Sequence, residues 1–373
     1  MDYRRLGMTM RVFVFCMVSL IFCSLSAADA KPYTVEEGKL GGSLYKIAIP
    51  QKWNKKLILN AHGGRPEKLP LSAEFQIEKT HNEVLLKEGW MIAETSYRRN
   101  GLIIQDAIDD LKTLYDFIAK KYGKPARSYI LGGSMGGQIV VKIAEEKKDR
   151  FDGVLAVGAA LLCEDNDPSE CEDKANLNKH TFQPTIPILF YSNLNELTEV
   201  QEYVAKTEKT KANSALWIST RRGHCNINYL EEEKALRALF NWAENGKKPA
   251  DEKVLIDVRR TDSKARHDKG RVYGTVHSIN VYGSVIVDIS RTDLEKAGIT
   301  QDSYFSVGFK DKKFKIFLGY SYSDVKEGEW VSFLTAGDYL MVARNWENAQ
   351  KTLGCNAGDE IFIEKLPEPE KTK

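Results

Sequence analysis

A serine set between glycines is the part of this 373-residue sequence that most clearly could perform chemistry. Gly132, Ser134 and Gly136 form a G-x-S-x-G pattern, in which a strand turns sharply into a helix and exposes the serine hydroxyl above the sheet edge. Glycines on both sides leave room where strand and helix nearly touch. The apolar run Tyr129–Leu131 predicts the strand, and Gln138–Glu146 predicts the helix. Ser134 is therefore a candidate nucleophile.

A histidine followed by two glycines comes directly after an earlier predicted strand. This turn, His62-Gly63-Gly64, follows the apolar segment Lys56–Asn60. The backbone N–H of Gly63 or Gly64, together with that of Met135, would hydrogen-bond the negative oxygen of a tetrahedral intermediate. We expect the His62 side chain to hydrogen-bond its own turn, and we assign the chemical role to the glycine backbone.

A general base should follow the last strand of the sheet, on a loop that reaches back to the serine. Among the six histidines of the sequence, His224 comes after the predicted strand Leu216–Ser219 and directly after a glycine. His180, in the loop before the predicted strand Ile186–Tyr191, is the alternative. We predict that His224 removes the serine proton.

The acid that would orient this histidine is expected on the loop after Ile186–Tyr191, where it would hold the imidazole in its reactive tautomer. This loop offers Glu196, with Glu199 and the neutral Asn195 as alternatives. Glu196 is preferred because a glutamate reaches one bond further than the aspartate expected one position earlier. Glu199 opens the next helix, where its charge would also favour the helix N-terminus.

Strands and helices alternate over residues 31–247, and this alternation must position the candidate residues. The remaining predicted strands are Leu44–Pro50, Trp90–Tyr97 and Val154–Val157, and the remaining predicted helices are Asp106–Tyr122, Val200–Thr207 and Leu230–Glu244. The pattern predicts an α/β fold with a doubly wound, mostly parallel sheet and helices on both faces. Such sheets bind ligands at the carboxyl ends of their strands, where Ser134 would lie.

Residues 31–247 resemble the α/β-hydrolase fold, in which nucleophile, acid and histidine follow in this order. Ser134, Glu196 and His224 keep that order, and the His62-Gly63-Gly64 turn is similar to the oxyanion loop of esterase and peptidase members. The resemblance implies a serine hydrolase that cleaves a small-molecule ester, a thioester, or a peptide or other amide through an acyl-enzyme, with no cofactor or metal ion. The fold also hosts non-catalytic members, so a binding protein on a degenerate hydrolase fold is the alternative.

From Arg271 onward, short alternating segments replace the strand–helix pairs. They are Val272–Val276, Ser284–Ile289, Phe305–Phe309, Phe314–Leu318, Trp330–Phe333, Leu340–Ala343 and Glu360–Glu364. Glycine, Asp and Asn separate them, which predicts a small all-β, barrel-like domain over residues 271–366. A polar linker, residues 248–270, precedes it and includes a predicted strand at Val254–Val258. Residues 367–373 form a tail.

This β-domain resembles the C-terminal domain of the S-adenosylmethionine hydroxide adenosyltransferase family. The resemblance is carried by Val276–Ser284, Tyr320–Val325, Gly328-Glu329, Ala343-Arg344-Asn345, Asn348-Ala349, Leu353 and Gly358-Asp359. That family binds a nucleoside between this domain and a different N-terminal domain, usually across a trimer, which implies a homo-oligomer formed through the β-domain. Adenosyl transfer is not expected, because that N-terminal domain is absent and Ser284 stands where the family usually has Asn.

Residues 1–30 have the pattern of a signal peptide. An arginine-containing start precedes the apolar run Val12–Leu25, and Ala28-Asp29-Ala30 is an A-x-A cleavage site. The run is short for a membrane span, which needs about 20 apolar residues. We therefore expect cleavage after Ala30 and a secreted or periplasmic protein with no membrane anchor after cleavage.

The charges bear on the partner of the chain, and the cysteines bear on its covalent links. The formal net charge is +2 with acids and bases interspersed, which argues against a nucleic-acid partner. Cys163 and Cys171 flank an acidic loop and predict a local disulfide in an oxidising compartment. Residues 162–185, which contain this loop, are predicted to cover Ser134 as a lid. Cys225 and Cys355 are predicted to be unpaired, and the cysteine spacing resembles no zinc site.

Overall fold

The computed structural model describes residues 31–146, 149–161, 180–210 and 212–367. The predicted signal peptide, the predicted Cys163–Cys171 disulfide and residues 162–179 of the predicted lid lie outside these ranges. Within the described ranges, no helix is long and apolar enough to cross a membrane. Cys225 and Cys355 are free thiols.

A nine-stranded sheet forms the first part of the chain. Its strands are β1 (Tyr33–Leu40), β2 (Ser43–Pro50), β3 (Lys56–Ala61), β4 (Met91–Thr95), β5 (Arg127–Gly133), β6 (Gly153–Val157), β7 (Ile188–Asn193), β8 (Ser214–Ser219) and β9 (Glu252–Lys253). They lie in the order β1-β2-β4-β3-β5-β6-β7-β8-β9. The pairs β1–β2 and β2–β4 are antiparallel, and every pair from β4–β3 to β8–β9 is parallel. The predicted mostly parallel sheet is confirmed.

Helices cover both faces of this sheet. They are α1 (His81–Lys87), α2 (Ile104–Tyr122), α3 (Met135–Glu145), α4 (Thr198–Lys209) and α5 (Tyr229–Asn245). The apolar residues of α2, α3 and α4 pack in one core, and those of α1 and α5 pack in a second. Successive strand residues enter opposite cores, as Leu57 and Leu59 enter the first and Ile58 the second. The sheet is therefore buried on both sides, as parallel sheets usually are.

Local sequence explains where the longer helices form and end. In α2 the buried residues Ile108, Leu111, Tyr115 and Ile118 recur at helical spacing and face the first core. Helix α5 begins at a capping box, in which the Asn228 side chain accepts the Glu231 N–H and the Glu231 side chain accepts the Asn228 N–H. It ends at Gly246, whose left-handed backbone (φ 70°) suits a residue without a side chain.

A second sheet closes on itself in the last third of the chain. Its strands are β10 (Arg266–Asp268), β11 (Arg271–Ile279), β12 (Val285–Val287), β13 (Tyr304–Phe309), β14 (Lys312–Leu318), β15 (Trp330–Leu334), β16 (Leu340–Arg344) and β17 (Glu360–Lys365). The order β11-β12-β16-β15-β14-β13-β17 returns to β11 through the β11–β17 pairing, and β10 pairs with β11 outside this ring. Two short helices, α6 (Arg291–Lys296) and α7 (Ala349–Leu353), connect strands. The predicted barrel-like domain is confirmed as a closed barrel.

Several element bounds differ from those predicted. Helix α3 begins at Met135, three residues before the predicted start at Gln138. The sequence pattern assigned these glycine-rich residues to a turn, whereas they form the first turn of the helix. The predicted strand Val254–Val258 is wrong: the strand here is Glu252–Lys253, and Val254 adds one further hydrogen bond to Ile218. Strand β1 was not predicted, since its partly exposed edge residues lack a clear apolar alternation.

Candidate active site

Ser134 lies between the end of β5 and the start of α3, in a backbone conformation that L-residues rarely adopt (φ 58°, ψ −122°). Glycines make this turn feasible. A Cβ on Gly132 would overlap the carbonyl oxygen of Gly136, and one on Gly136 would overlap the carbonyl oxygen of Ala61. The Ser134 N–H donates to Val157 O of the neighbouring strand at 3.0 Å. Strand β5, the Ser134 turn and helix α3 therefore pack closely together at the carboxyl edge of the sheet.

The predicted oxyanion loop lies directly beside this serine. A Cβ placed on Gly63 would be 3.3 Å from the Ser134 Cβ and 3.9 Å from its Oγ. Met135 is the first residue of α3, and the N–H groups of a first helical turn have no partner within their helix. The structure therefore places the Gly63–Gly64 turn beside Ser134 and Met135, where these three residues are candidate backbone donors.

The His62 ring supports this loop. Its Nδ1 lies 2.7 Å from Gly63 O, and its ring stacks on Tyr97 with centroids 4.0 Å apart. Burial lowers the pKa of His62 to about 3, so the ring is neutral and its Nδ1–H donates to the carbonyl. The Tyr97 hydroxyl donates to His62 O at 3.1 Å. The expected hydrogen bond from His62 to its own turn is present.

A buried ion pair follows the two glycines, and the sequence reasoning did not find it. Arg65 Nη2 lies 3.5 Å from Glu94 Oε1, and both side chains are 5% exposed. The same guanidinium donates to Ser72 O. Burial raises the pKa of Glu94 to about 8, against the opposing charge of Arg65. The end of the oxyanion loop is thereby tied to β4.

His224 and Glu196 meet on the loops after β8 and β7. His224 Nδ1 lies 2.6 Å from Glu196 Oε2. The other carboxylate oxygen of Glu196 accepts the N–H groups of Asn193 at 3.1 Å and Cys225 at 3.3 Å. Three partners therefore fix the Glu196 carboxylate. Because the carboxylate binds His224 Nδ1, the other ring nitrogen, Nε2, is the one that could exchange a proton with a substrate or a nucleophile.

The competing residues serve other contacts. Asn195 Oδ1 accepts the Gly223 N–H at 2.8 Å and so shapes the loop before the histidine. Glu199 accepts the Leu161 N–H at 3.0 Å. His180 lies 3.3 Å from Glu145 Oε2 through Nδ1 and 3.3 Å from Leu161 O through Nε2. Among the described contacts, Glu196 is the acid that reaches His224.

Cys225 is a member of the site that the sequence reasoning left aside. It has a left-handed backbone (φ 50°), and its Sγ lies 3.8 Å from His224 Nε2 and 3.4 Å from Val157 O. The Cys225 sulfur raises the pKa of His224 most, and the Glu196 carboxylate adds to this against the effect of burial. In the described residues no hydrogen bond joins Ser134 Oγ to His224. The sequence signal for Cys225 was its position directly after His224.

A cavity of about 210 Å³ adjoins these residues on the α1 and α5 face of the sheet. Gly133, Val157 and Cys225 line it from the sheet side, and His81 and Glu232 line it from the helices. His81 Nδ1 lies 2.9 Å from Glu232 Oε2, while its Nε2 is buried without a partner among the described residues. Gly133, which lines this cavity, directly precedes Ser134 in the chain.

Two stretches of the chain match protein-family models. Residues 102–225 match the model described as serine aminopeptidase, S33, and this stretch contains Ser134, Glu196 and His224. The first part of the chain has an α/β-hydrolase fold. Residues 274–362 match the SAM hydroxide adenosyltransferase C-terminal domain. Both resemblances are confirmed, and the first match supports a hydrolase.

Individual proteins are similar to parts of the chain. An o-phthalyl amidase of Xanthobacter agilis is 30% identical over 131 residues, which are 34% of this chain and 27% of that protein. The chain thus spans about a quarter of the length of that relative. An esterase of Pyrococcus furiosus is 18% identical with a TM-score of 0.43, covering 57% of this chain and 90% of its own. An acylaminoacyl peptidase of Pyrococcus horikoshii is 13% identical with a TM-score of 0.41, covering 51% and 37%.

Proposed function

We propose that this protein is a serine hydrolase that cleaves a carboxylic ester or amide through an acyl-enzyme on Ser134. The observation that carries the proposal is the 2.6 Å contact between His224 Nδ1 and Glu196 Oε2 at the sheet edge where Ser134 adopts its strained turn. A carboxylate on one imidazole nitrogen leaves the other as a base. Nucleophile, orienting acid and base would then follow the ends of three strands of one sheet, β5, β7 and β8.

The reaction would proceed in two halves. His224 Nε2 takes the Ser134 proton while Oγ attacks the substrate carbonyl carbon, and the N–H groups of Met135 and Gly63 or Gly64 stabilise the resulting oxyanion. The bond to the leaving group breaks as His224 returns the proton to it, which leaves an acyl-enzyme. Water then attacks the acyl carbon and gives a proton to His224, and His224 returns this proton to Ser134 Oγ as the bond between Oγ and the acyl carbon breaks and the acid leaves. Hydrogen bonds of this kind are often long before substrate binds and tighten in the complex.

Labelling and hydrolysis test the proposal together. The protein is treated with a fluorophosphonate and assayed with p-nitrophenyl acetate, beside Ser134→Ala and the control Ser192→Ala, whose buried hydroxyl has no partner among the described residues. We expect covalent labelling and an initial burst of p-nitrophenol in the wild type and in Ser192→Ala. Ser134→Ala should lose labelling and about 10⁴-fold or more in kcat. Undiminished labelling of Ser134→Ala would overturn the proposal.

Amides are the second substrate class to be tested. Part of this chain is similar to an o-phthalyl amidase, which favours an aromatic amide as the substrate. The match to the serine aminopeptidase model also favours an amide substrate. An acyl p-nitroanilide series, with aromatic and aliphatic acyl groups, separates these substrates from esters. A preference in kcat/KM for the anilides over matched esters would assign the protein to the amidases, and the reverse would assign it to the esterases.

Two alternative functions predict different results in these assays. A binding protein on a degenerate hydrolase fold would show no fluorophosphonate labelling and no turnover. An S-adenosylmethionine-dependent transferase would release adenosine from that compound, and calorimetry without detectable binding would exclude it. Ser134→Ala is expected to leave any such adenosine release unchanged, so the same variant separates this activity from hydrolysis.

A further inference from the structure

The turn between β11 and β12 carries a tyrosine out of the barrel to the oxyanion loop. Tyr282 Oη donates to Gly64 O at 3.2 Å. The turn itself is well fixed, since Asn280 Oδ1 accepts the N–H groups of both Tyr282 (3.0 Å) and Ser284 (2.9 Å). Gly283, at φ 78°, packs so closely on Asn348 that a Cβ there would overlap its side chain. The hydroxyl of Tyr282 is thus presented from a rigid support.

This contact fixes the peptide plane that directly follows a candidate backbone donor, the Gly64 N–H. In a trans peptide the C=O group of one residue and the N–H group of the next lie in one plane and point in opposite directions, so a fixed carbonyl also fixes the N–H of the following residue. His62 Nδ1 holds Gly63 O at 2.7 Å, in the plane that carries the Gly64 N–H. Tyr282 holds Gly64 O at 3.2 Å, in the next plane, which carries the Arg65 N–H. Two consecutive peptide planes of the loop are therefore anchored, one by the hydrolase sheet and one by the barrel.

The barrel also contacts the loop that carries the base. The Arg222 guanidinium lies 4.5 Å from the centre of the Tyr320 ring, and Asn226 Nδ2 donates to Leu334 O at 3.4 Å. Arg222 and Asn226 stand two positions on either side of His224. Both loops that flank Ser134 therefore rest on the barrel, at three different points of its strands and turns.

We propose that Tyr282 is a positioning residue for the oxyanion loop, which makes the barrel part of the hydrolytic site. This inference rests on the proposed serine hydrolase function. Removal of an entire oxyanion donor typically costs about 10²–10³-fold in kcat. Tyr282 anchors the plane after the one that carries the Gly64 N–H, and His62 still holds that donor plane, so we expect the Tyr282 hydroxyl to contribute less, about 10-fold.

The test uses Tyr282→Phe, which removes the hydroxyl and keeps the ring. Its matched control is Tyr322→Phe, because the Tyr322 hydroxyl bonds Ser284 Oγ at 3.0 Å within the barrel. For Tyr282→Phe we expect kcat on p-nitrophenyl acetate and the fluorophosphonate labelling rate to fall about 10-fold, with KM within twofold. The acid limb of the pH profile should stay in place, since His224 and Glu196 are unchanged. Tyr322→Phe should keep both rates within twofold.

The outcomes separate this inference from the function on which it rests. If wild-type labelling depends on Ser134 and Tyr282→Phe labels within twofold of the wild-type rate, the positioning role is wrong and the hydrolase proposal stands. If kcat falls equally in Tyr282→Phe and Tyr322→Phe, the effect comes from the stability of the barrel and the inference is overturned. The same holds if Tyr282→Phe lowers the melting temperature by several degrees. Labelling that does not need Ser134 would overturn both proposals.

Discussion

The two sides of Ser134 are held by different forces. On the oxyanion side the fit is steric: glycines let backbone approach backbone, and the neighbouring His62 is neutral because burial lowers its pKa to about 3. On the base side the fit is electrostatic: Glu196 holds His224 at 2.6 Å, and the Cys225 sulfur followed by this carboxylate raises the pKa of the histidine. The oxyanion side should therefore respond to added atoms, and the base side to changes of charge.

The largest expected effect tests the steric side. Gly136→Ala would drive a Cβ into the Ala61 carbonyl, and backbone cannot move aside as a flexible side chain can. We expect a loss of at least about 3 kcal/mol in the free energy of unfolding, the upper range for overpacking, measured by urea denaturation. The control Gly337→Ala meets only ordinary contacts, at 3.7 Å from Tyr339, and should change stability little. Equal stability of the two variants would break the steric half of the comparison.

The next effect tests the charged side without a change of volume. Glu196→Gln keeps the shape of the side chain but removes the charge that orients and stabilises the histidine. We expect kcat to fall by up to about 10⁴-fold, the loss found when the orienting carboxylate of a serine triad becomes an amide, with an unchanged melting temperature. Glu199→Gln is the matched control, because an amide oxygen can still accept the Leu161 N–H, and it should retain kcat within about threefold. Equal losses in both variants would refute the assignment of Glu196.

The smallest effect is a shift along the pH axis. The base must be neutral to act, so kcat/KM should rise with pH as His224 loses its proton, and a raised pKa places this rise above the usual histidine range. Cys225→Ala removes the largest cause of the raised pKa. We expect the acid limb of kcat/KM to move to lower pH, with higher activity at pH 7. Cys355→Ala, a buried cysteine of the barrel, should leave the limb in place. A limb that moves equally in both variants, or in neither, would remove Cys225 from the site.

Much of the fold could be predicted because its signals are local. Alternation of apolar residues marks strands and helices within a few residues, and the G-x-S-x-G turn depends on neighbours in the chain. Strand β1 escaped prediction because an exposed edge does not need a regular apolar face. The start of α3 was misplaced because glycines, which are poor helix formers, open it. Their presence is explained by close packing, of Gly136 on Ala61 in β3 and of Gly137 on Ala159 after β6.

The site was less predictable where its contacts join distant parts of the chain. Among Glu196, Glu199 and Asn195 the sequence could rank candidates, but the choice depends on how two loops meet in space. Cys225 was passed over because a lone cysteine carries no pattern. The Tyr282 contact with Gly64 could not be inferred, since it links two segments that follow separate family patterns.

The closure of the barrel limits how copies of this chain can associate. Every strand of the ring has a neighbour on both sides, although β14 and β15 pair only through Phe317 and Leu318 with Val331 and Ser332. The ring therefore offers at most a short run of unpaired N–H and C=O groups to an incoming strand. The outer side of β10 is a free edge, but it is three residues long and carries the charged Arg266 and Asp268. Any oligomer built on the barrel would therefore join through side-chain surfaces, which can separate again, and the barrel would resist the strand-by-strand stacking from which insoluble aggregates grow.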